Sequence, residues 1–501
     1  MTEQIQADAV VVGAGTSGCY FAWRLSKAGY HTIVLEKQQL QDLGRSIDIF
    51  HMDEVRFAEF GLAPPSGDEL LGHHTTGLAW SPDLQVQNKV DYSFYVMDKP
   101  AFQQRMHQYV LDAGGKILEQ VEVFAPIIED GTVTGVQVRT DGDLAEVRGR
   151  IVVDASGIEG AVRTQLPPEL GVETAPITDA DTLFVCLEFR DELGEGFPQG
   201  LNFYPFHKAF WNPSRGSGSI LGIGQPGSYD FAWQKHGEWR EEYFGDPGRV
   251  VKRTQGRTPY RRSPYSLVGN GFMVMGDSAF QTKPFSGEGV TSSFTACQIA
   301  AEVAAEALQQ GDVSREALWP YNTRYFQGQG AKFASMFVQL PAAAELSRRE
   351  VDYLFHNDLV FSSRDFEQMN LHYETEMDMG QLVSMGSKLL WGVVRGRFSS
   401  ASLKKLLAVS STADKIKKLY RQFPEDPAAF EAWLAQAKPL WGGSVGELAQ
   451  APEDTDLVTT RIGEDILDCT RTRGRPLCRS QMSLVPRGDR ENIWTDSNIA
   501  V

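Results

Sequence analysis

The segment from Ala7 to Glu36 constrains the fold of this chain more than any other. A β-branched stretch ends at Val12, Gly13-Ala14-Gly15-Thr16-Ser17-Gly18 follows, an apolar-periodic run reaches Ala28, and HTIVLE closes on Glu36. Strand, tight turn, helix, strand is a βαβ unit, and such a unit needs a parallel sheet. In a G-x-G-x-x-G turn, glycines such as Gly13, Gly15 and Gly18 permit the tight turn and let backbone amides approach a pyrophosphate at a helix N-terminus. The string alone carries little: the chain has 48 glycines in 501 residues, and about 0.4 such matches then arise by chance. A second match, Gly222-Ile223-Gly224-Gln225-Pro226-Gly227, contains a proline and lacks both the following helix and an acidic partner, so it is predicted to be a turn in a sheet. The first match has its context on both sides. Glu36 ends the next strand, where a carboxylate accepts hydrogen bonds from ribose hydroxyls and repels a 2′-phosphate. FAD or NAD fits this site; NADP does not.

At this length the chain is predicted to form about two to four domains. A net charge of -17 argues against a nucleic-acid partner, because a phosphate backbone is held by basic surfaces. No apolar run approaches the roughly 18 residues of a membrane-spanning helix, and MTEQIQADA lacks the basic and apolar regions of a secretion signal, so the expected location is the cytoplasm. Five cysteines (Cys19, Cys186, Cys297, Cys469 and Cys478) are few and scattered, which fits a reducing compartment, and no metal-ligand pattern is formed.

Two further stretches carry a family resemblance. Ile151-Val152-Val153-Asp154-Ala155-Ser156-Gly157 precedes Ala161-Val162-Arg163, and Gly276-Asp277-Ser278-Ala279 precedes Pro284 and Gly287-Glu288-Gly289. With the first motif, in this order, they resemble the flavoprotein superfamily that holds aromatic hydroxylases and geranylgeranyl reductases. The spelling GD-x-A, four residues, P-x-x-GEG is most similar to the geranylgeranyl reductase group. The resemblance implies FAD as cofactor. It implies further that Asp277 accepts a hydrogen bond from the ribityl chain, that Gly287 and Gly289 let the backbone lie against the isoalloxazine ring, and that Pro284 fixes the loop passing over it. The helix beginning near Val290 would favour anionic reduced flavin by up to about 1 to 2 kcal/mol. Lys99 stands where an arginine near the pyrophosphate is usual, Gly44 and Arg45 fall in the loop beside the flavin, and Lys37, Asp154, Gly157, Gly276 and Glu288 complete the expected cofactor site.

The implied fold is α/β: a discontinuous Rossmann-like FAD-binding domain, an antiparallel β-sheet substrate domain and a helical C-terminal region. The expected division gives FAD binding to 1–60, 98–167 with a β-meander, and 265–330. Residues 61–97 are expected to supply substrate-domain strands or a connection, and 168–264 the antiparallel domain. Residues 331–441 are expected to be helical, and 442–501 an irregular extension. KILEQVEV, VTGVQV and VRGRIVVDA are read as the meander's strands.

The chain departs from the reductase pattern at two places. Leu43-Gly44-Arg45-Ser46 replaces a frequent Cys-Gly pair, excluding a thiol role there, and Gly200-Leu201-Asn202-Phe203-Tyr204-Pro205 keeps only the aromatic-proline end of a Tyr-x-Trp-x-Phe-Pro stretch. A flavin halogenase's Trp-x-Trp-x-Ile-Pro segment is absent. Lys283, Tyr204 and His207 are the candidate catalytic residues, as proton donors or as stabilisers of reduced flavin. Between Lys388 and Arg421 nine basic residues face one acid, Asp414, among apolar residues such as Leu390 and Trp391. That pattern suits amphipathic helices in peripheral contact with an anionic membrane, or helices docked on the protein with a basic outer face. The expected activity is hydride transfer from reduced FAD to a carbon–carbon double bond of an isoprenoid or lipid-like substrate. The electron donor is expected to be external, NAD(P)H or a carrier, because no second credible nucleotide fingerprint exists. The alternatives are a flavin-dependent monooxygenase and, more remotely, a non-catalytic FAD-binding partner protein.

Overall fold

The computed structural model describes residues 5–441 except 141, 193–199, 205–207, 212–217, 246–247, 285, 361 and 375–376. The expected extension 442–501, with Cys469 and Cys478, and the candidate His207 lie outside the described residues. The chain begins β1 (Ile5–Val12), α1 (Thr16–Lys27), β2 (Thr32–Leu35), β3 (Ile49–Asp53), α2 (Glu54–Phe60), β4 (Leu70–Trp80), β5 (Gln87–Asp98) and α3 (Lys99–Asp112). There follow β6 (Lys116–Leu118), β7 (Glu122–Glu129), β8 (Thr132–Thr140), β9 (Asp143–Asp154), β10 (Thr182–Arg190), β11 (Gly200–Phe203), β12 (Lys208–Trp211) and β13 (Ser219–Gln225). Then come α4 (Tyr229–Phe244), β14 (Val250–Pro259), β15 (Val268–Gly269), β16 (Phe272–Val274) and α5 (Gly289–Gln310). The last third is helical: α6 (Arg315–Leu318), α7 (Pro320–Tyr325), α8 (Ala331–Ala344), α9 (Arg348–His356), α10 (Ser363–Glu367), α11 (Met379–Val394), α12 (Ser400–Arg421) and α13 (Phe430–Trp441).

The first sheet has the order β15-β16-β9-β1-β2-β6, with β16, β9, β1, β2 and β6 parallel. Central β1 reads Ala9-Val10-Val11-Val12, all at most 4% exposed, the continuous apolar run of a strand covered on both faces. α1 packs on α3 and α5, with Tyr20 stacked on Phe294 at 4.2 Å and Trp23 on Tyr109 at 5.0 Å between ring centroids. β7, β8 and β9 form the expected meander, and β9 carries it back beside β1. KILEQVEV is two strands rather than one: Gln120 takes a left-handed conformation, φ 59°, which ends β6 on the parallel sheet before β7 starts the meander.

The second sheet runs β14-β10-β13-β12-β11-β4-β5-β3, antiparallel except where β11 meets β4. Besides the strands of 182–259 it takes β4, β5 and also β3. Gly222 and Gly224 lie on β13, paired with β10, so these two glycines are strand rather than the expected turn, and only Pro226 and Gly227 fall past the strand end. One face of this sheet is covered by α4, through Trp239, Tyr243 and Phe244, and the other holds Tyr92, Phe94, Leu201 and Phe366 of α10. In the C-terminal region α12 packs on α8, and Trp433 Nε1 donates to Leu419 O at 3.0 Å.

Candidate functional site

The turn after β1 is held by atoms from three elements. Ala14 N donates to Glu36 Oε2 at 2.9 Å, and Gln38 N donates to Oε1 at 2.9 Å, so Glu36 is buried and fixed at the end of β2. On the other side Ala14 O accepts from Gln103 Nε2 at 2.6 Å and lies 3.0 Å from His107 Nε2, both on α3. Gly13 has φ 104°, and a Cβ there would collide with Ala155 O; one at Gly18 would collide with Gly13 O. A Cβ at Gly15, the N-cap of α1, would meet nothing within 4 Å, and no side chain caps the helix. Two glycines are therefore needed for packing and the third borders open space at uncapped helix N–H groups, the features of an anion cradle.

The second motif is a knot. Asp154 is 0% exposed; Oδ1 accepts from Ser156 N, Ser156 Oγ and Ser278 Oγ at 3.1, 2.6 and 3.2 Å, and Oδ2 from Val162 N and Arg163 N at 2.9 and 2.7 Å. Ser278 Oγ also lies 2.8 Å from Gly157 O, and Arg163 Nε donates to Ser278 O at 2.9 Å. Gly157 itself has φ 74° and open space where a Cβ would project. The motif thus ties its own loop to the turn at Gly276-Asp277-Ser278-Ala279. That turn touches α1 in turn: a Cβ on Gly276 would sit 2.7 Å from Ser17 Oγ.

Asp277 and Lys99 are encased by protein yet keep accessible area, so they line an enclosed cleft. Burial pushes the Lys99 ammonium down from its ordinary value, with Asp277 opposing, and pushes the Asp277 carboxyl up, against the Thr282 hydrogen bond and Lys99. Thr282 Oγ1 donates to Asp277 Oδ1 at 3.0 Å. A Cβ on Gly289, first residue of α5, would lie 3.4 Å from the same oxygen, and one on Gly44 would lie 3.2 Å from Pro100 N beside Lys99.

Past this turn the backbone closes on itself. Gly287 N donates to Lys283 O at 3.0 Å and Lys283 N to Glu288 O at 3.3 Å. The Lys283 side chain, 3% exposed, pairs with Glu288 Oε2 and donates to Asn370 Oδ1 at 2.9 Å, while Glu288 Oε1 pairs with His51 Nε2. His51 meets Phe94 edge-on at 5.5 Å. The hydroxyls of Tyr92 and Tyr373 are buried nearby, both raised by burial, with Asp53 and Glu288 adding to the shift. Residues from β3, β5, the loop before α5 and the segment after α10 meet here.

Comparison with known proteins fits this arrangement. Residues 8–173 match the family described as FAD dependent oxidoreductase. The digeranylgeranylglycerophospholipid reductase of Sulfolobus acidocaldarius is 27% identical over 455 residues, 86% of this chain and 96% of that protein. A geranylgeranyl bacteriochlorophyll reductase-like protein of Thermoplasma acidophilum shares the fold, with TM-score 0.65, 18% identity, and coverage of 78% of this chain and 98% of that one. So does p-nitrophenol 4-monooxygenase from Pseudomonas putida, with TM-score 0.52, 16% identity, and coverage of 83% and 99%. The chain is an FAD-dependent oxidoreductase, similar over most of its length to a digeranylgeranylglycerophospholipid reductase.

The cleft of this oxidoreductase fits FAD. Lys99 Nζ makes no hydrogen bond and Asp277 Oδ2 accepts none among the described residues, so a cation and an acceptor remain available beside the turn that touches α1, whose N-terminus has no side-chain cap. Gly13, Gly15, Gly18, Glu36, Gly44, Lys99, Gly276, Asp277 and Gly289 are brought together by these contacts. Pro284 is buried, and Gly287 has φ 70°, in the closed loop. Other expected residues stand elsewhere or are engaged. Lys37 is half-exposed and pairs with Glu159, and Arg45 lies on the surface, its Nε donating to Gln41 O at 2.9 Å. Asp154 spends both oxygens on protein donors, and Glu288 spends both on Lys283 and His51. Tyr204 lies on the α4 side of the second sheet, stacked on Trp80 at 5.8 Å and edge-on to Phe244 at 4.8 Å, whereas Lys283 joins the network reaching Tyr92's side. Gln103, His107, Thr282, His51 and Asn370 were not singled out from sequence. Of these only Thr282, five residues from Asp277, carries a local signal.

Proposed function

We propose that this oxidoreductase reduces carbon–carbon double bonds in the isoprenoid chain of a lipid, taking electrons from an external donor. The observation that carries this reading is the nearly end-to-end similarity to the reductase of Sulfolobus acidocaldarius. When bound and reduced, FAD supplies a hydride to one carbon of the double bond, and a proton must reach the other. Lys99 and the α1 N-terminus would bind the pyrophosphate, Glu36 the adenosine ribose, and Asp277 Oδ2 a ribityl hydroxyl. Lys283 Nζ and His51 Nε2 lie on either side of the Glu288 carboxylate, at the loop next to the turn at Asp277. In this reading they deliver the proton, with Asn370 keeping the Lys283 ammonium in place. The face of the second sheet carrying Tyr92, Phe94, Leu201 and Phe366 offers an apolar wall that excludes water from the chain being reduced.

The test uses the yellow holoprotein reduced anaerobically. Addition of a geranylgeranyl lipid should reoxidise the flavin, and each double bond reduced should add the mass of two hydrogens to the product. If the reduced protein ignores the lipid and instead forms a C4a-hydroperoxide absorbance on admitting oxygen, the reductase reading fails and the monooxygenase alternative stands. Silence toward both, with no donor able to reduce it, would favour the binding-only alternative.

A further inference from the structure

Eight of the thirteen large hydrophobic side chains that are exposed among the described residues fall between Met377 and Leu407. Most sit on α11. Met379, Val383, Leu390 and Val394 recur at four-, seven- and four-residue spacing on its outer face, with Val394 75% exposed, and Leu382 and Trp391 flank them. Solvent is not a stable partner for such a stripe, because contiguous exposed apolar surface on a helix marks a contact site. The helix is not turned outward by accident of a loose end. Its inner side is anchored on α9, where Tyr353 covers buried Gly392 and donates its hydroxyl to Lys388 O at 2.6 Å, while Lys388 Nζ donates to Asn357 O at 2.7 Å.

The charge around the stripe identifies what covers it. From Met379 to Ala413 the sequence has no acidic residue, in a chain of net charge -17. Arg395, Arg397 and Lys404 are exposed just beyond the helix, and none has a carboxylate within 4 Å among the described residues; Arg395 lies over the Trp391 ring at 4.6 Å. An apolar stripe edged by a tryptophan and unpaired cations matches an interfacial helix, with side chains reaching the acyl boundary and cations at lipid phosphates. Two copies meeting through this face would bring the same cations together, which disfavours a dimer. No described helix is long and apolar enough to cross a membrane, so the contact is one-sided. We infer that α11, with Arg395, Arg397 and Lys404, docks this protein on an anionic lipid surface. This docking does not depend on which molecule the active site reduces.

The experiment is co-sedimentation of the full-length holoprotein with vesicles of phosphatidylcholine alone or of equal parts phosphatidylcholine and phosphatidylglycerol. The wild type should pellet with the anionic vesicles, less at high salt, and weakly with the neutral ones. Val383→Ser/Leu390→Ser/Val394→Ser should lose at least roughly tenfold in partitioning. Arg395→Gln/Arg397→Gln should lose about fivefold per charge, and only with the anionic vesicles. Flavin content and far-ultraviolet circular dichroism should be unchanged in both, since the replaced side chains lie on the surface. Wild-type protein that stays in the supernatant with both vesicles overturns the inference. So does full binding by the triple serine variant, or a dimer in sedimentation equilibrium that the triple variant abolishes while no vesicle is bound.

Discussion

Asp154→Asn tests whether the second motif acts as a knot or as a direct cofactor ligand. The native carboxylate accepts five hydrogen bonds, three of them from backbone N–H groups of Ser156, Val162 and Arg163. An asparagine has one acceptor oxygen. Its less costly orientation keeps that oxygen on Val162 and Arg163 and turns the amide toward Ser156, whose hydroxyl, like that of Ser278, can rotate to accept. One buried N–H then loses its partner, costing about 1.5–3 kcal/mol, and two further bonds weaken from charge-assisted to neutral, roughly 0.5–1 kcal/mol each. The sum is about 2.5–5 kcal/mol. It should appear in urea unfolding of the apoprotein, where FAD plays no part. Because Ser278 and Arg163 link this loop to the turn at Asp277, FAD affinity should fall as well, by about thirtyfold if roughly 2 kcal/mol of the loss reaches the cleft. An apoprotein as stable as wild type, with only FAD affinity reduced, would refute the reasoning and make Asp154 a direct ligand.

Three other outcomes follow from the contacts. Gly18→Ala should give protein with little or no bound FAD, read as flavin absorbance per chain, because its Cβ would overlap Gly13 O and open the turn that Glu36 and Gln103 hold; near-full flavin content would contradict this. Lys283→Met should keep FAD but lower turnover on a geranylgeranyl lipid by about a hundredfold, the scale of a lost proton donor, and unchanged turnover would remove Lys283 from the proton path. Glu188, 0% exposed, would be raised by burial alone, but His236, Arg190 and Arg253 hold it well below its ordinary value of 4.5. A depressed acid stabilises above its unfolded-state value, and the benefit is lost as pH falls through the folded-state value. Glu188→Gln should therefore flatten the loss of thermal stability on acidification below about pH 5 and cost about 3–5 kcal/mol at neutral pH, since buried Arg190 loses its counter-charge; an acid limb as steep as wild type would exclude Glu188 as its source.

The parts of the fold that sequence made visible are those set by local periodicity. Gly13 to Glu36 spans one βαβ unit, and every requirement of that unit, from the apolar run of β1 to the carboxylate ending β2, lies within thirty positions. The Asp98 side chain accepting from Ala101 N at 2.7 Å, with Pro100 in the first turn of α3, is local in the same way, so that helix start was readable. Sheet membership was less so. Residues 61–97 were legible only as substrate-domain strands or a connection, without the bounds of β4 and β5, and β3 is a five-residue strand whose placement rests on pairing with β5. Contacts that fix the site are longer still in sequence. Gln103 and His107 reach Ala14 O across 89 and 93 positions, and Asn370 reaches Lys283 across 87. Nothing within a helical turn of Gln103 distinguishes it from a solvated glutamine. Tyr204 shows the converse limit: the sequence offers an aromatic hydroxyl as a candidate proton donor, whereas its position one residue past β11, packed with Trp80 and Phe244 on the α4 side of the sheet, depends on tertiary contacts.

In the proposed reading Glu288 would serve the cofactor site through the groups it pairs with, Lys283 and His51. It is the N-cap of α5, where a carboxylate ordinarily accepts from the first N–H groups of the helix. Here it makes no side-chain cap. Lys283 and His51 pull the carboxylate away from the axis, from a position that backbone bonds between Lys283, Gly287 and Glu288 hold fixed. The first amides of α5, beginning at Gly289 beside Asp277, thus receive no cap from the Glu288 side chain, which would keep the partial positive charge of a long helix available to a bound anionic group. The paired charges would also account for the glutamate between the two glycines. A neutral residue there would leave the Lys283 ammonium, 3% exposed, with only the neutral Asn370 as a partner among the described residues, a costly arrangement for a buried charge. In this reading one carboxylate both leaves the helix end without a side-chain cap and pairs with the buried lysine, which would tie cofactor binding and proton delivery to the same residue.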